Sequence, residues 1–265
     1  MPNGIRMPAV AGILYPRSAH ELRREVTRLL QQSSCGRDST EIPKALIVPH
    51  AGLEYSGAVA AAAYARVRHA RETIERVVLV GPAHDTCVPG LAVSEVGAFA
   101  TPLGLVAVHR DSVIELLHLP EVHVSGFAHA REHSLEVQLP FLQVMLAEFT
   151  IVPVVVTDAD PVTVASALDR TWGGPETLIV VSSDLSHYQS YREAARLDAA
   201  STDAILHSQW NVLGPEHACG YSAINGLMYV AAQQGMHVEV LDLRNSGDVN
   251  GDFNDVVGYG AFALV

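Results

Sequence analysis

Three apolar runs in this chain end in groups that can hold an ion or move a proton: KALIVPH at His50, VVLVGPAH at His84, and LIVVSSDLSH at Asp184 and His187. A strand buried on both faces reads as such a short continuous apolar run, and open α/β sheets bind ligands just beyond the carboxyl ends of their strands. The pattern predicts three imidazoles and a carboxylate on one rim of one sheet, which is a metal or acid/base site. Ala51 with Gly52, and Pro82 with Ala83, leave room beside the first two rings. A histidine at a strand end also serves as a hydrogen-bonded cap, but two such ends on neighbouring strands favour a shared ligand.

In SSDLSHY, a carboxylate close to an imidazole can fix its tautomer and raise its basicity, so His187 is a candidate general acid/base with Asp184 as its partner. The competing reading makes Ser183 or Asp184 a helix N-cap. Cys219, in EHACGYSA, reads as a thiolate ligand, as a nucleophile beside His217, or as a small buried side chain at a helix start. His129-Ala130-Arg131-Glu132-His133 spells H-x-x-E-H, the signature of inverted zinc metallopeptidases, with histidines at i and i+4. Gly126 and the FAHA stretch put His129 at or before the helix start, so Glu132 and His133 are assigned to the rim of the first site and the peptidase is kept as a lesser alternative. Ser222 lacks a G-x-S-x-G context, and no Walker-type loop occurs.

These groups need strands and helices to position them. Ser18 followed by Glu21 predicts a capped helix over ELRREVTRLLQQ, followed by a surface loop SSCGRDSTEIP. GAVAAAAYARV predicts a helix with Ser56 as N-cap. LAVSE, the Thr101-Pro102-Leu103-Gly104 turn and GLVAVHR predict an edge hairpin, and EHSLEVQLPFLQVML predicts a longer helix that Pro140 bends or interrupts. FTIVPVVVTD, HVEVLDLRN and VVGYGAFALV supply further strands, and PVTVASALDR, YREAARLDAASTDAILHS and SAINGLMYVAAQQG further helices. The alternation predicts one α/β domain over residues 1–265, with a central, mostly parallel mixed sheet flanked by helices.

At 265 residues and 49% hydrophobic composition, the chain can bury a core without a metal or disulfide. Its net charge of −12, with no Lys/Arg run, disfavours nucleic acid and anionic membrane surfaces. Cys35, Cys87 and Cys219 have no C-x-x-C spacing, which argues against a disulfide framework and for a reducing cytoplasm. No apolar stretch has the form of a signal peptide or reaches transmembrane length, so a cytoplasmic protein is expected.

Taken in order, PAVAGILYP, VPHAGLEYSG, VLVGPAHD, the TPLG turn, EHSLEVQLPFL, FTIVPVVV, VSSDLSHY, ACGYSAI and GYGAFAL resemble the MEMO family, also called AmmeMemoRadiSam system protein B, over nearly the whole chain. The resemblance implies the fold of class III extradiol ring-cleaving dioxygenases, which are non-haem iron oxidoreductases. It also implies a mononuclear metal ion, Fe(II) in the first place with copper or zinc as alternatives, held by His50, His84 and Cys219. His187 with Asp184 matches the acid/base group, and His133 with Glu132 lines the same cleft; Cys87 matches no role. A small-molecule or peptide ligand in the cleft and a radical-SAM pathway partner follow from the same resemblance. Ring-cleaving relatives have a carboxylate where Cys219 stands, and a thiolate is a softer donor open to oxidation. That departure leaves a non-catalytic metal-handling, redox or peptide-binding scaffold as the alternative expectation.

Overall fold

Apolar runs dictate the strands, and capping residues set most helix starts, in the computed structural model, which describes residues 4–33, 41–86 and 89–265. Cys35, Cys87 and most of the predicted SSCGRDSTEIP loop lie outside the described residues. β1 (Ile5–Arg6) precedes α1 (Ala19–Gln32), whose N-cap Ser18 accepts from the Glu21 N–H as the sequence predicts. β2 (Ala45–Val48) leads into α2 (Leu53–Ala65). That helix starts at Gly52, a turn before the expected cap, because the Ser56 hydroxyl is spent as a donor to the Ala51 carbonyl, 2.9 Å away.

β3 (Arg76–Pro82), β4 (Leu91–Val93), β5 (Ala98–Thr101) and β6 (Gly104–Val108) follow. The TPLG hairpin forms, with Gly104 at φ 129°, but AFAT rather than LAVSE is the strand that enters it. After α3 (Arg110–Leu116), β7 (Val122–Val124) and α4 (Gly126–Ala130), a single 3-10 turn at Glu136–Gln138 runs into α5 (Leu139–Met145). The longer helix expected here is therefore interrupted beside Pro140 and not bent at it. Pro140 occupies the first turn of α5, where a missing N–H costs nothing, and so begins a helix instead of kinking one. The remainder is β8 (Thr150–Val156), α6 (Pro161–Thr171), β9 (Thr177–Ser182), β10 (His187–Gln189), α7 (Tyr191–Leu206), α8 (Tyr221–Gln234), β11 (Val238–Asn245), α9 (Gly247–Asn250) and β12 (Val256–Leu264).

The strands hydrogen-bond in the order β1-β5-β6-β8-β3-β9-β2-β12-β10, with β11 on β12 and β4 joined to β8 and β7. β8, β3, β9 and β2 are mutually parallel, in register from Val78 opposite Ile179 to Val48 opposite Ser182, whereas β12 closes the far side antiparallel. α1, α2 and α5 pack together as one helical group and α3, α6 and α8 as another. Leu46, Ile47, Val48, Leu79, Val180 and Val181 have no exposed surface, and burial of each such side chain contributes about 1.5–3 kcal/mol. The sheet thus packs through its own side chains. The molecule is a single α/β domain with a mixed, mostly parallel sheet flanked by helices. Among the described residues no helix is long and apolar enough to cross a membrane.

Candidate metal centre

β3, β9 and β2 lie side by side, so the segments leaving their carboxyl ends meet: Pro49-His50 after β2, Ala83-His84 after β3 and Ser183-Asp184 after β9. His50 is 1% exposed, and its backbone N–H donates to Asp184 Oδ1 at 2.8 Å, tying two of these segments together. The His84 N–H donates to Glu132 Oε2 at 2.7 Å, and its ring Nδ1 lies 2.9 Å from Glu132 Oε1, which also accepts the Ser134 N–H. An ionised carboxylate only accepts, so His84 Nδ1 carries the proton in that contact and Nε2 is the atom left for a ligand.

Glu132 and His133 arrive on the segment between α4 and the 3-10 turn. The buried Arg6 guanidinium fixes it, donating to the Glu132 carbonyl at 2.6 Å, to the His129 carbonyl at 3.0 Å and to the Glu136 carboxylate. Ser134 approaches β3 closely, its hydroxyl 3.0 Å from the Pro82 carbonyl; a Cβ at Gly81 would sit 2.7 Å from that hydroxyl, so only glycine permits the approach. Ring donor atoms of His50, His84 and His133 all lie within 4.8 Å of one another. The ring centroids are 5.2 Å apart for His50 and His84 and 4.5 Å for His84 and His133.

Cys219 precedes α8, and its Sγ stands 3.4 Å from His50 Nε2. Its N–H donates to the Asp184 carbonyl at 3.3 Å, and the Gly220 N–H donates to Ser183 Oγ at 2.8 Å. A Cβ on Gly220 would fall 2.8 Å from the Ser183 side chain, so glycine is needed for this loop to reach the site. Two ligands on one ion, with bonds of about 2.3 Å to sulfur and 2.0–2.1 Å to nitrogen at a tetrahedral angle, stand about 3.5 Å apart. The Cys219–His50 distance meets that requirement, and imidazole with thiolate is a donor set that suits iron, copper or zinc. The residues present therefore fit a mononuclear metal.

Electrostatics agree. Burial opposes charge on His84, but Cys219 and Glu132 outweigh it and hold its pKa at about 10. Burial likewise pushes the Cys219 thiol up, and the imidazoles of His50 and His84 overcome this to bring it to about 6. At Glu132 burial is outweighed by the His84 ring and by backbone N–H donors, which hold the carboxyl at about 2. His50 is shifted down by its complete burial. An incoming cation thus competes with the protons that these groups share, so its binding releases protons.

Four readings need correction. Asp184 does not hydrogen-bond His187: its carboxylate faces the His50 N–H, while His187 Nδ1 donates to the Leu185 carbonyl at 2.8 Å, which fixes the tautomer and leaves Nε2 as an acceptor. SSDLSHY runs from β9 into β10, and Ser190 rather than Ser183 or Asp184 caps the following helix. His217 accepts the Gly214 N–H at 3.1 Å and does not pair with Cys219. The H-x-x-E-H reading also fails on geometry, because α4 ends at Ala130 and the two histidines never share a helical face. His129 is buried, its Nε2 donating to the Ala92 carbonyl at 3.0 Å, and it stands outside the clustered donors. The His129→Ala protein is expected to retain the full metal content of the parent by elemental analysis; loss of the metal would restore the peptidase reading.

Sequence reasoning placed His133 on the rim and missed its reach to the donor cluster. It also missed Arg6, Ser134, Glu136 and Ser182, whose partners lie tens of residues away and leave no local signal.

A family model described as Memo-like protein matches residues 6–263. The chain is 35% identical to the MEMO1 family protein of Thermoplasma volcanium over 267 residues, covering 96% of each. It is 36% identical to that of Aquifex aeolicus, covering 96% of this chain and 97% of the relative, and 34% identical to that of Thermotoga maritima with the same coverage. The crystal structure of an uncharacterized Escherichia coli K12 protein superposes with a TM-score of 0.50 at 12% identity over 84% of this chain and all of the other, a likeness of fold.

Proposed function

The chain belongs to the Memo-like family, and from that premise we propose that it binds one metal ion, Fe(II) in the first place with copper or zinc as alternatives, through His50, His84 and Cys219, and acts on a small oxygenated or aromatic molecule in the cleft. The observation that carries the reading is the convergence of Cys219 Sγ, 3.4 Å from His50 Nε2, with a histidine cluster whose donor atoms lie within 4.8 Å of one another. Bound there, iron would supply Lewis acidity and a one-electron couple.

The chain's own groups have distinct tasks. Glu132 aims His84 and holds its Nδ1 proton, so that Nε2 faces the site. His187, with Nδ1 committed to the Leu185 carbonyl, offers Nε2 as the acceptor for a proton from a substrate hydroxyl. Asp184, which burial pushes up to about 6, binds the His50 backbone and so ties the segment after β9 to the one after β2. His133 borders the same space and can hydrogen-bond a substrate oxygen or serve as a further nitrogen donor.

That last option supports a second reading. With His133 drawn in, three imidazoles and a thiolate make a closed tetrahedral set with no position open for substrate, as in sites that hold a metal without turnover. A metal-handling or redox protein working with a radical-SAM partner, or a scaffold holding a peptide in the cleft, would then be the role.

Oxygen uptake by the anaerobically Fe(II)-reconstituted protein over a panel of catechols separates the two. The first reading expects uptake that falls 10²–10⁴-fold in His187→Ala, the range for loss of a general acid/base. Uptake equal in parent and variant would reject dioxygenase chemistry and leave the metal-holding role.

A further inference from the structure

Behind His50 lies a buried chain of hydrogen bonds whose directions are all determined. Tyr64, Ser134, Gln138 and Ser182 have no exposed surface. Gln138 Nε2 is 3.0 Å from the Pro49 carbonyl, which can only accept, so the amide nitrogen must face that way. The same nitrogen donates to Ser182 Oγ at 2.8 Å, and Gln138 Oε1 accepts from the Tyr64 hydroxyl at 2.8 Å. Ser182 has one hydrogen, and it points to the Ser134 carbonyl, 2.7 Å away, another obligate acceptor. One lone pair of Ser182 takes the Gln138 N–H. The other faces His50 Nδ1 at 3.0 Å, and only a proton on Nδ1 makes that contact a hydrogen bond.

We propose that Ser182, oriented by Gln138, is a positioning residue that holds His50 as its Nδ1–H tautomer and so keeps the Nε2 lone pair free for an ion. The assignment deepens the metal-binding reading and rests on it for its purpose. It works against a real competitor: Cys219 Sγ, 3.4 Å from Nε2, would accept a proton there and draw the ring into the opposite tautomer. The opposite tautomer would set the Nδ1 lone pair against Ser182 Oγ, or strip the Ser134 carbonyl of its partner, inside a region closed to water. An unpaired buried acceptor is costly, which is why the serine prevails.

The same serine couples the two histidine arms. Ser134, whose carbonyl takes the Ser182 proton, gives its N–H to Glu132 Oε1, the oxygen that holds His84 Nδ1. Both rings therefore present Nε2 to one point through partners that meet at Ser134.

The test uses the full-length, metal-stripped, ¹⁵N-labelled protein at a pH where His50 is neutral. Long-range ¹H–¹⁵N correlation spectra of the imidazoles report the tautomer, with His50 assigned by the signals lost in His50→Gln. The parent is expected to show Nδ1–H, and Ser182→Ala to move His50 toward Nε2–H. The affinity for Zn(II), measured by chelator competition, is expected to fall 10–100-fold in Ser182→Ala, the usual effect of removing a partner of a ligand's far nitrogen. Nε2–H in the parent, which needs no variant to fold, would overturn the proposal, as would Nδ1–H persisting in Ser182→Ala. If the tautomer behaves as stated but the parent binds neither Zn(II) nor Fe(II), the serine's control of the ring stands and the metal reading falls.

Discussion

His50→Ala is expected to be a folded protein almost without metal. The backbone N–H that binds Asp184 survives the substitution, and the strands flanking the site are packed by their own apolar side chains. What is lost is the ring, together with the partners it gives Ser182 Oγ and Cys219 Sγ. Leaving a buried polar group without its partner costs about 1–3 kcal/mol, a fraction of the 5–15 kcal/mol that stabilises a typical domain. Metal affinity, by contrast, loses one of its direct donors and should fall by more than the 10–100-fold that follows removal of a ligand's outer hydrogen-bond partner. Elemental analysis beside a thermal melt checks both halves. Gross unfolding would make the site structural, and undiminished metal would remove His50 from it.

The largest loss of stability is expected from Glu136→Ala. Glu136 has no exposed surface and accepts from the Arg6 guanidinium, the Ala9 N–H at 2.8 Å, the Val10 N–H at 3.1 Å and the Tyr15 hydroxyl. Among the described residues it is the one anion that binds the segment from Arg6 to Tyr15 onto the body of the protein. Removing one member of a buried ion pair leaves the other as an uncompensated charge and costs about 3–5 kcal/mol. Urea denaturation should report a midpoint lowered accordingly, with the slope unchanged. Because Arg6 also holds the Glu132 and His129 carbonyls, metal affinity should weaken in the same variant through a loosened Glu132–His84 contact. A loss below about 1 kcal/mol would show that the pair merely fills space.

Legibility in the sequence followed the range of the interaction. Continuous apolar runs mark β2, β3, β8 and β9, and the rule that ligands gather past parallel strand ends puts His50, His84 and Asp184 on one rim. The Ser18 cap and the TPLG turn were equally local and equally readable. Failures came where a residue had a closer partner than its pattern suggested. Ser56 bonded back to Ala51, His187 turned to the Leu185 carbonyl, and His129 was taken by Ala92. Nothing local signals that Arg6 meets Glu136 across 130 positions, or that Ser182 reaches both Ser134 and His50. Cys219 is the instructive middle case. Its own surroundings suggested a buried small side chain, the family resemblance suggested a ligand, and its sulfur stands beside His50.

X-ray absorption at the metal edge, on protein purified without chelators or affinity nickel, tests the central claim most directly. The account predicts a single bound ion with one sulfur at about 2.3 Å and two or three imidazole nitrogens at about 2.0–2.1 Å, the sulfur vanishing in Cys219→Ala. An ion coordinated without sulfur, or no ion after reconstitution with Fe(II), Cu(I) and Zn(II) in turn, would contradict it.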